Sequence, residues 1–267
     1  MAIQIETVKT DSFDMKFFRF GKGKKPYVII PGISIQSVMN SADTIAENYA
    51  VMADEYEIYV FDRREDLPAS YSIQEMARDT AKAMKNLGLH DVYLFGASQG
   101  GMIALVIAIE FPELVKKMVL GSTSAHIAKW QDSALDHWEH LAEEKDGVKL
   151  YLEFGKVIYP PNVFHQYKDA LISAGEKVTE EEMDRFLILL KGSRNFDVTK
   201  ELDKIQCPVL AIGVYEDAVL DSDATMEIAE KLDERKDFKL YMYKGYGHAA
   251  FDTAPDYRER IMKFFEQ

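Results

Sequence analysis

The stretch FGASQGGM, Phe95 to Met102, sets a single serine between an apolar run and a helix-like run, with a glycine two residues before it and another two after. A side chain lifted above the carboxyl end of a parallel strand needs a very sharp strand-to-helix turn. The backbone at Ser98 is then strained, and its neighbours two positions away must be small to pass each other. Gly96 and Gly100 meet that demand, with Ala97 and Gln99 between. A helix starting just after Ser98 brings its positive end to the hydroxyl, and the Gln99 N–H points to where an oxyanion would form.

The rest of the chain supplies the strands and helices such a turn requires. KPYVIIPG, ending at Gly32, reads as a buried strand stopped by a Pro-Gly breaker. A helical stretch over Ala42–Ala53 follows, then a strand at Tyr56–Asp62. From Ser72 the pattern SIQEMARDTAKAMKNLG predicts a helix with Ser72 as N-cap, Glu75 closing a capping box and Gly88 as the stop. Asp91–Gly96 is the next strand, GGMIALVIAIEFPE the next helix and Val115–Ser122 another strand. Strand and helix in alternation imply right-handed crossovers and a parallel sheet covered on both faces.

The alternation stops after Ser122. From about 124 to 195 the pattern is helical and carries Trp130, Trp138, Tyr151, Phe154, Tyr159, Phe164 and Phe186, so a helical insertion is expected. Strands resume at Cys207–Gly213 and Asp237–Tyr243, with a helix between them at Ala224–Leu232 and a closing helix from about Pro255. Two opening runs, Ala2–Val8 and Asp14–Phe20, are expected to form an antiparallel edge hairpin. The resulting division is a core in two parts, 1–122 and 198–267, interrupted by a helical cap at 123–197.

Composition narrows the classes of function. In 267 residues, 45 acidic against 32 basic side chains give a net charge of −13, which repels nucleic acid. The single cysteine, Cys207, cannot form an internal disulfide, and a reducing cytoplasm is the expected location. The start of the chain lacks the pattern of an export signal, and the apolar stretches are too short to span a bilayer, so no membrane partner is expected.

A serine hydroxyl needs a base. Of the six histidines, His248 in YKGYGHAAFD follows the last strand and can hang over the sheet's carboxyl edge. His90 precedes the serine strand and lies at the opposite end. His126, His137, His140 and His165 fall in or near the insertion, and a pair such as His137 and His140 without a third ligand is an ordinary surface feature. The imidazole in turn needs an acid to hold its tautomer. Asp217, in the loop after the strand ending at Gly213, is favoured; Glu216, Asp221 and Asp223 crowd the same loop, the last two near a helix start where acids commonly cap.

The segments VIIPG followed by Ile33, VFDRR, SIQEMARDTAKAMKNLGLHDVYLFGASQGGMIAL, CPVLAIGVYED and GYGHAAF, with the order Ser98, Asp217, His248, resemble the α/β-hydrolase-fold serine hydrolases over nearly the whole chain. The resemblance implies a cap over the active site and a second oxyanion N–H from the residue after the early glycine, Ile33 here. Two departures stand out. Pro31-Gly32 replaces the usual His-Gly, which should leave the backbone donor intact. RREDLPA replaces a glycine-rich turn, which is expected to reshape the pocket and makes Arg63 and Arg64 candidates to face substrate, although such arginines are more often solvated or paired.

The expected activity is cleavage of a small ester, thioester or related acyl compound through an acyl-serine intermediate, with no metal or organic cofactor. Ser98 attacks, His248 moves the proton, Asp217 orients His248, and the N–H groups of Ile33 and Gln99 hold the oxyanion. Two other readings fit the same residues: carbon–carbon bond hydrolysis, and a slow-turnover ligand sensor of the same fold. Fold alone does not choose among them.

Overall fold

A computed structural model describes residues 2–130 and 133–267. The chain opens with an antiparallel hairpin, β1 (Ile5–Lys9) and β2 (Asp14–Phe20), in which Phe17 and Phe18 are buried on opposite faces. Next come β3 (Lys25–Ile30), α1 (Ala42–Asn48), β4 (Tyr56–Arg64), α2 (Ile73–Asn86), β5 (Val92–Ala97), α3 (Gln99–Glu110) and β6 (Val115–Gly121). The expected helix over Ala42–Ala53 breaks at Tyr49, and Ala50–Met52 continues as a 3₁₀ turn. β4 runs two residues beyond the expected Asp62, which fixes the directions of Arg63 and Arg64.

Helix α2 begins as its sequence dictates. The Ser72 hydroxyl accepts from the Glu75 N–H at 3.3 Å, and the Glu75 carboxylate accepts from the Ser72 N–H at 2.7 Å. Four helices follow β6: α4 (Ala134–Glu143), α5 (Gly147–Ile158), α6 (Pro161–Gly175) and α7 (Glu180–Lys191). They fall within the 123–197 block, of which residues 131 and 132 lie outside the described residues. The chain closes with β7 (Val209–Val214), α8 (Ser222–Leu232), β8 (Phe238–Tyr243), the short α9 (Ala250–Thr253) and α10 (Tyr257–Phe265).

The sheet order is β1-β2-β4-β3-β5-β6-β7-β8, antiparallel at β1/β2 and β2/β4 and parallel elsewhere. The parallel strands β5 and β7 are buried at every position, as strands covered on both faces must be. One face packs against α2, α3 and α8 through residues such as Met76, Ile103 and Ile228. The other packs against α1 and α10, where Tyr257, Ile261 and Phe265 are buried. Trp138, Leu141, Leu150, Met183, Phe186 and Leu190 form a separate core inside the helical insertion, and Ile35 from the loop after β3 is buried with them. This is the α/β-hydrolase fold. Among the described residues no helix is long and apolar enough to cross a membrane.

Candidate active site

Every residue expected to do chemistry sits at the carboxyl ends of the parallel strands, where the chain must leave the sheet and side chains can converge. Ser98 connects β5 to α3 at φ 51° and ψ −122°, a conformation that residues other than glycine rarely hold. Neighbouring hydrogen bonds fix it there. The Ser98 N–H donates to the Gly121 carbonyl at 2.8 Å, and the Ser98 carbonyl accepts from the Thr123 hydroxyl at 2.6 Å.

The turn also explains Gly100. A Cβ there would stand 2.0 Å from the Ile30 carbonyl oxygen, a backbone atom that cannot swing aside. Gly100→Ala is therefore expected to destabilise the fold by about 3 kcal/mol or more through overpacking, measured by chemical denaturation. A midpoint equal to that of the wild type would contradict the close approach.

His248 lies between the other two residues. Its Nδ1 is 2.8 and 2.9 Å from the two Asp217 carboxylate oxygens, and its Nε2 is 2.9 Å from the Ser98 hydroxyl oxygen. An ionised carboxylate only accepts, so Nδ1 carries the proton and Nε2 is left to accept from the hydroxyl. All three groups are buried. Burial works against the charge on Asp217, but the His248 imidazole and the N–H groups of Leu220 and Val219, at 3.1 and 2.9 Å, outweigh it and hold the carboxyl below its usual range.

The rival acids stand elsewhere. Glu216 accepts from the Gly245 N–H at 2.7 Å, tying the loop after β7 to the loop that carries His248. Asp221 is the N-cap of α8, and Asp223 lies in that helix's first turn. The remaining histidines also have partners elsewhere: His90 pairs with Asp91, His126 with Glu227, His137 with Glu153, while the Nδ1 atoms of His140 and His165 face the carbonyls of Asp136 and Pro161.

The loop after β3 passes directly beside the serine. A Cβ on Gly32 would lie 3.2 Å from Ser98 Cβ and 3.8 Å from its hydroxyl oxygen, so Ile33 follows within a residue of that contact. Gln99 is the first residue of α3, and its N–H has no acceptor inside the helix. The two backbone groups named as oxyanion donors thus belong to segments adjoining the Ser98 hydroxyl.

Arg63 and Arg64, the two candidates to face substrate, are engaged with groups of the protein itself, the commoner outcome for such arginines. Alternation along β4 sends them to opposite sides. Arg64 lies 5.0 Å over the Phe13 ring and pairs with Asp79 at 3.4 Å. Arg63 is buried beneath the loop after β3, where one Nη2 donates to the Pro31 carbonyl at 2.9 Å and to Gln99 Oε1 at 3.2 Å. Its burial pulls the guanidinium down to about 10.

The Gln99 side chain is a functional contact that sequence reasoning passed over. Its Nε2 donates to the Leu189 carbonyl at 2.7 Å and to the Ser193 hydroxyl at 3.0 Å, joining the serine turn to the end of the insertion. Two further ties hold the insertion down. Arg185 reaches Asp62 at 3.3 Å, and the Ala249 N–H beside His248 donates to the Ile158 carbonyl at 3.0 Å. Gln36, in the loop after β3, bonds the Glu182 carboxylate at 3.0 Å and the Tyr151 hydroxyl at 2.9 Å.

Comparison with known proteins agrees with this architecture. A family model described as the alpha/beta hydrolase fold matches residues 40–151, the stretch that contains the serine turn. A protein of Pseudomonas savastanoi pv. phaseolicola, named as a candidate carbamate hydrolase, RutD, is 26% identical over 227 residues, covering 79% of this chain and 83% of its own. The crystal structure of MGS-M2, an alpha/beta hydrolase enzyme from a Medee basin deep-sea metagenome library, superposes with a TM-score of 0.86 at 23% identity over 98% of each chain. The enol-lactonase of Burkholderia xenovorans LB400 has the same fold at 12% identity, with a TM-score of 0.83 over 98% of this chain and 100% of its own. The match in sequence over the serine turn and the structural likeness over almost the full length show that this chain has the α/β-hydrolase fold.

Proposed function

We propose that the protein is a serine hydrolase that cleaves a small ester, thioester or related acyl compound through an acyl-serine intermediate. The observation that carries this reading is the continuous contact from Asp217 through His248 to the Ser98 hydroxyl at 2.8–2.9 Å. The Ser98 oxygen attacks the acyl carbon as His248 Nε2 takes the hydroxyl proton. The bond to the leaving group then breaks, and His248 returns the proton to that group. Water, activated by the same imidazole, splits the acyl-serine and restores the hydroxyl. Asp217 holds the imidazole tautomer and balances the imidazolium charge, and the N–H groups of Ile33 and Gln99 receive the oxyanion.

This scheme draws on side chains and backbone alone, and the substrate partner is a small acyl molecule. Ile33 and Ile35, in the loop beside Ser98, pack with the apolar residues of the 123–197 segment, and these apolar surroundings support short to medium apolar acyl groups over charged ones. The name of the Pseudomonas relative adds carbamates to the classes worth testing. Buried Cys207, whose thiol burial pushes up to about 12, takes no part, and an unpaired cysteine agrees with a cytoplasmic setting.

The test is pre-steady-state kinetics on p-nitrophenyl esters from acetate to octanoate, with a p-nitrophenyl carbamate alongside and intact-protein mass spectrometry of the quenched enzyme. A burst of nitrophenol with an acyl mass on Ser98 is expected, together with a preference for uncharged chains. Turnover without any adduct on Ser98, or a preference for anionic acyl groups, would count against the reading.

A further inference from the structure

A buried guanidinium is expensive unless something answers its charge, and a protein keeps one only where its hydrogen bonds matter. Arg63 is 3% exposed, and among the described residues no carboxylate forms an ion pair with it. Its neighbour Asp62 is engaged with the Ser37 hydroxyl at 2.5 Å, the Arg63 backbone N–H at 2.7 Å and Arg185 at 3.3 Å. The Arg63 Nε is buried without a partner. If Arg63 served packing alone, an apolar side chain of similar length would fill the space at lower cost.

The contacts it does make share one location. A single amino group, Nη2, uses its two hydrogens on the Pro31 carbonyl and on Gln99 Oε1. Pro31 is followed by Gly32, which lies against Ser98, and by Ile33, the source of one oxyanion N–H in the reading above, while Gln99 bears the other. Gln99 is oriented for this by its own amide: Nε2 is committed to Leu189 and Ser193, so Oε1 must face the arginine.

We propose that Arg63 is the positioning residue of the oxyanion hole, bridging the two chain segments that supply its donors and setting a desolvated positive charge behind them. The proposal rests on the acyl-serine reading above. A charge and a rigid bridge at that place stabilise a developing oxyanion far more than a neutral planar carbonyl, so the effect belongs to the transition state.

The test compares wild type, Arg63→Met, Arg63→Lys, Gln99→Met and Ser98→Ala on p-nitrophenyl butyrate, with phenylboronic acid as an inhibitor that becomes tetrahedral and anionic on the serine. Arg63→Met is expected to lower kcat about 100-fold and weaken the boronate by about the same factor, with KM within about threefold of wild type. Arg63→Lys, which keeps the charge and reaches one acceptor, is expected to recover about tenfold of that loss. Gln99→Met leaves the buried arginine in place and cuts one end of the bridge. It is expected to cost about tenfold in kcat with a parallel loss in boronate affinity, so the proposal stays testable should Arg63→Met fail to fold.

A folded Arg63→Met or Gln99→Met enzyme with wild-type kcat overturns the proposal, as does a loss that leaves boronate affinity untouched. Ser98→Ala separates the two levels. Full turnover there removes the acyl-serine reading itself, whereas an inactive Ser98→Ala beside an unimpaired Arg63→Met refutes the role of Arg63 alone.

Discussion

Ser98→Ala is expected to lower kcat by about 10⁶ and to abolish labelling by a fluorophosphonate, while leaving the fold intact. The hydroxyl is the group within 2.9 Å of His248 Nε2, and removing it deletes the nucleophile without disturbing the backbone bonds that hold the turn. Alanine keeps the Cβ and meets the same strained φ of 51°, so the melting temperature should change little. Activity-based labelling followed by peptide mapping checks the result. Labelling at another serine, or turnover within tenfold of wild type, would move the chemistry elsewhere.

Asp217→Asn is expected to lower kcat by about 10⁴, the size of loss seen when the orienting acid of a serine protease becomes an amide. Asparagine keeps the shape, and its carbonyl still accepts from Val219 and Leu220. Its amide, however, offers a donor to Nδ1, which favours the tautomer with the proton on Nε2 and removes the acceptor that Ser98 needs. The same change at Asp221 or Asp223 should cost no more than a helix cap, about 1 kcal/mol of stability. Glu216→Gln loosens the tie to Gly245 and should fall between them. Steady-state kinetics on the four variants decides the order, and a larger loss at Asp221 than at Asp217 would reverse the assignment.

The fold was legible because its elements announce themselves locally. The capping box at Ser72 and Glu75 and the alternation of buried runs with amphipathic helices each act within a few residues. The serine turn was legible for the same reason, since the small residues at 96 and 100 serve a steric demand made only four positions apart. Asp217 could be preferred over its neighbours because acids at a helix start have another occupation, which Asp221 indeed has.

The role of Arg63 was left open for a physical reason. Ending the strand at Asp62 leaves two consecutive arginines in a loop with no fixed direction. Two more residues of β4 impose alternation, and one arginine goes under the loop after β3 while the other goes out to the hairpin. Gln99 was seen only for its backbone because its side-chain partners lie 90 and 94 residues away, a distance at which sequence carries no local signal.

The ties between the insertion and the loops around Ser98 bear on how such a protein can be recombined. A roof of helices inserted between two strands looks like an interchangeable part, and substrate range would be altered most simply by transplanting it whole. Here the joint is not blank. A transplanted 123–197 segment would have to bring a carbonyl and a hydroxyl to Gln99, a carbonyl to the Ala249 N–H, a cation to Asp62 and an acid to Gln36. A chimera lacking the first pair would leave the Gln99 amide free to turn its oxygen away from Arg63, so new specificity would arrive together with slower chemistry. Donor and recipient are therefore best matched at 189 and 193 before any residue lining the pocket is chosen.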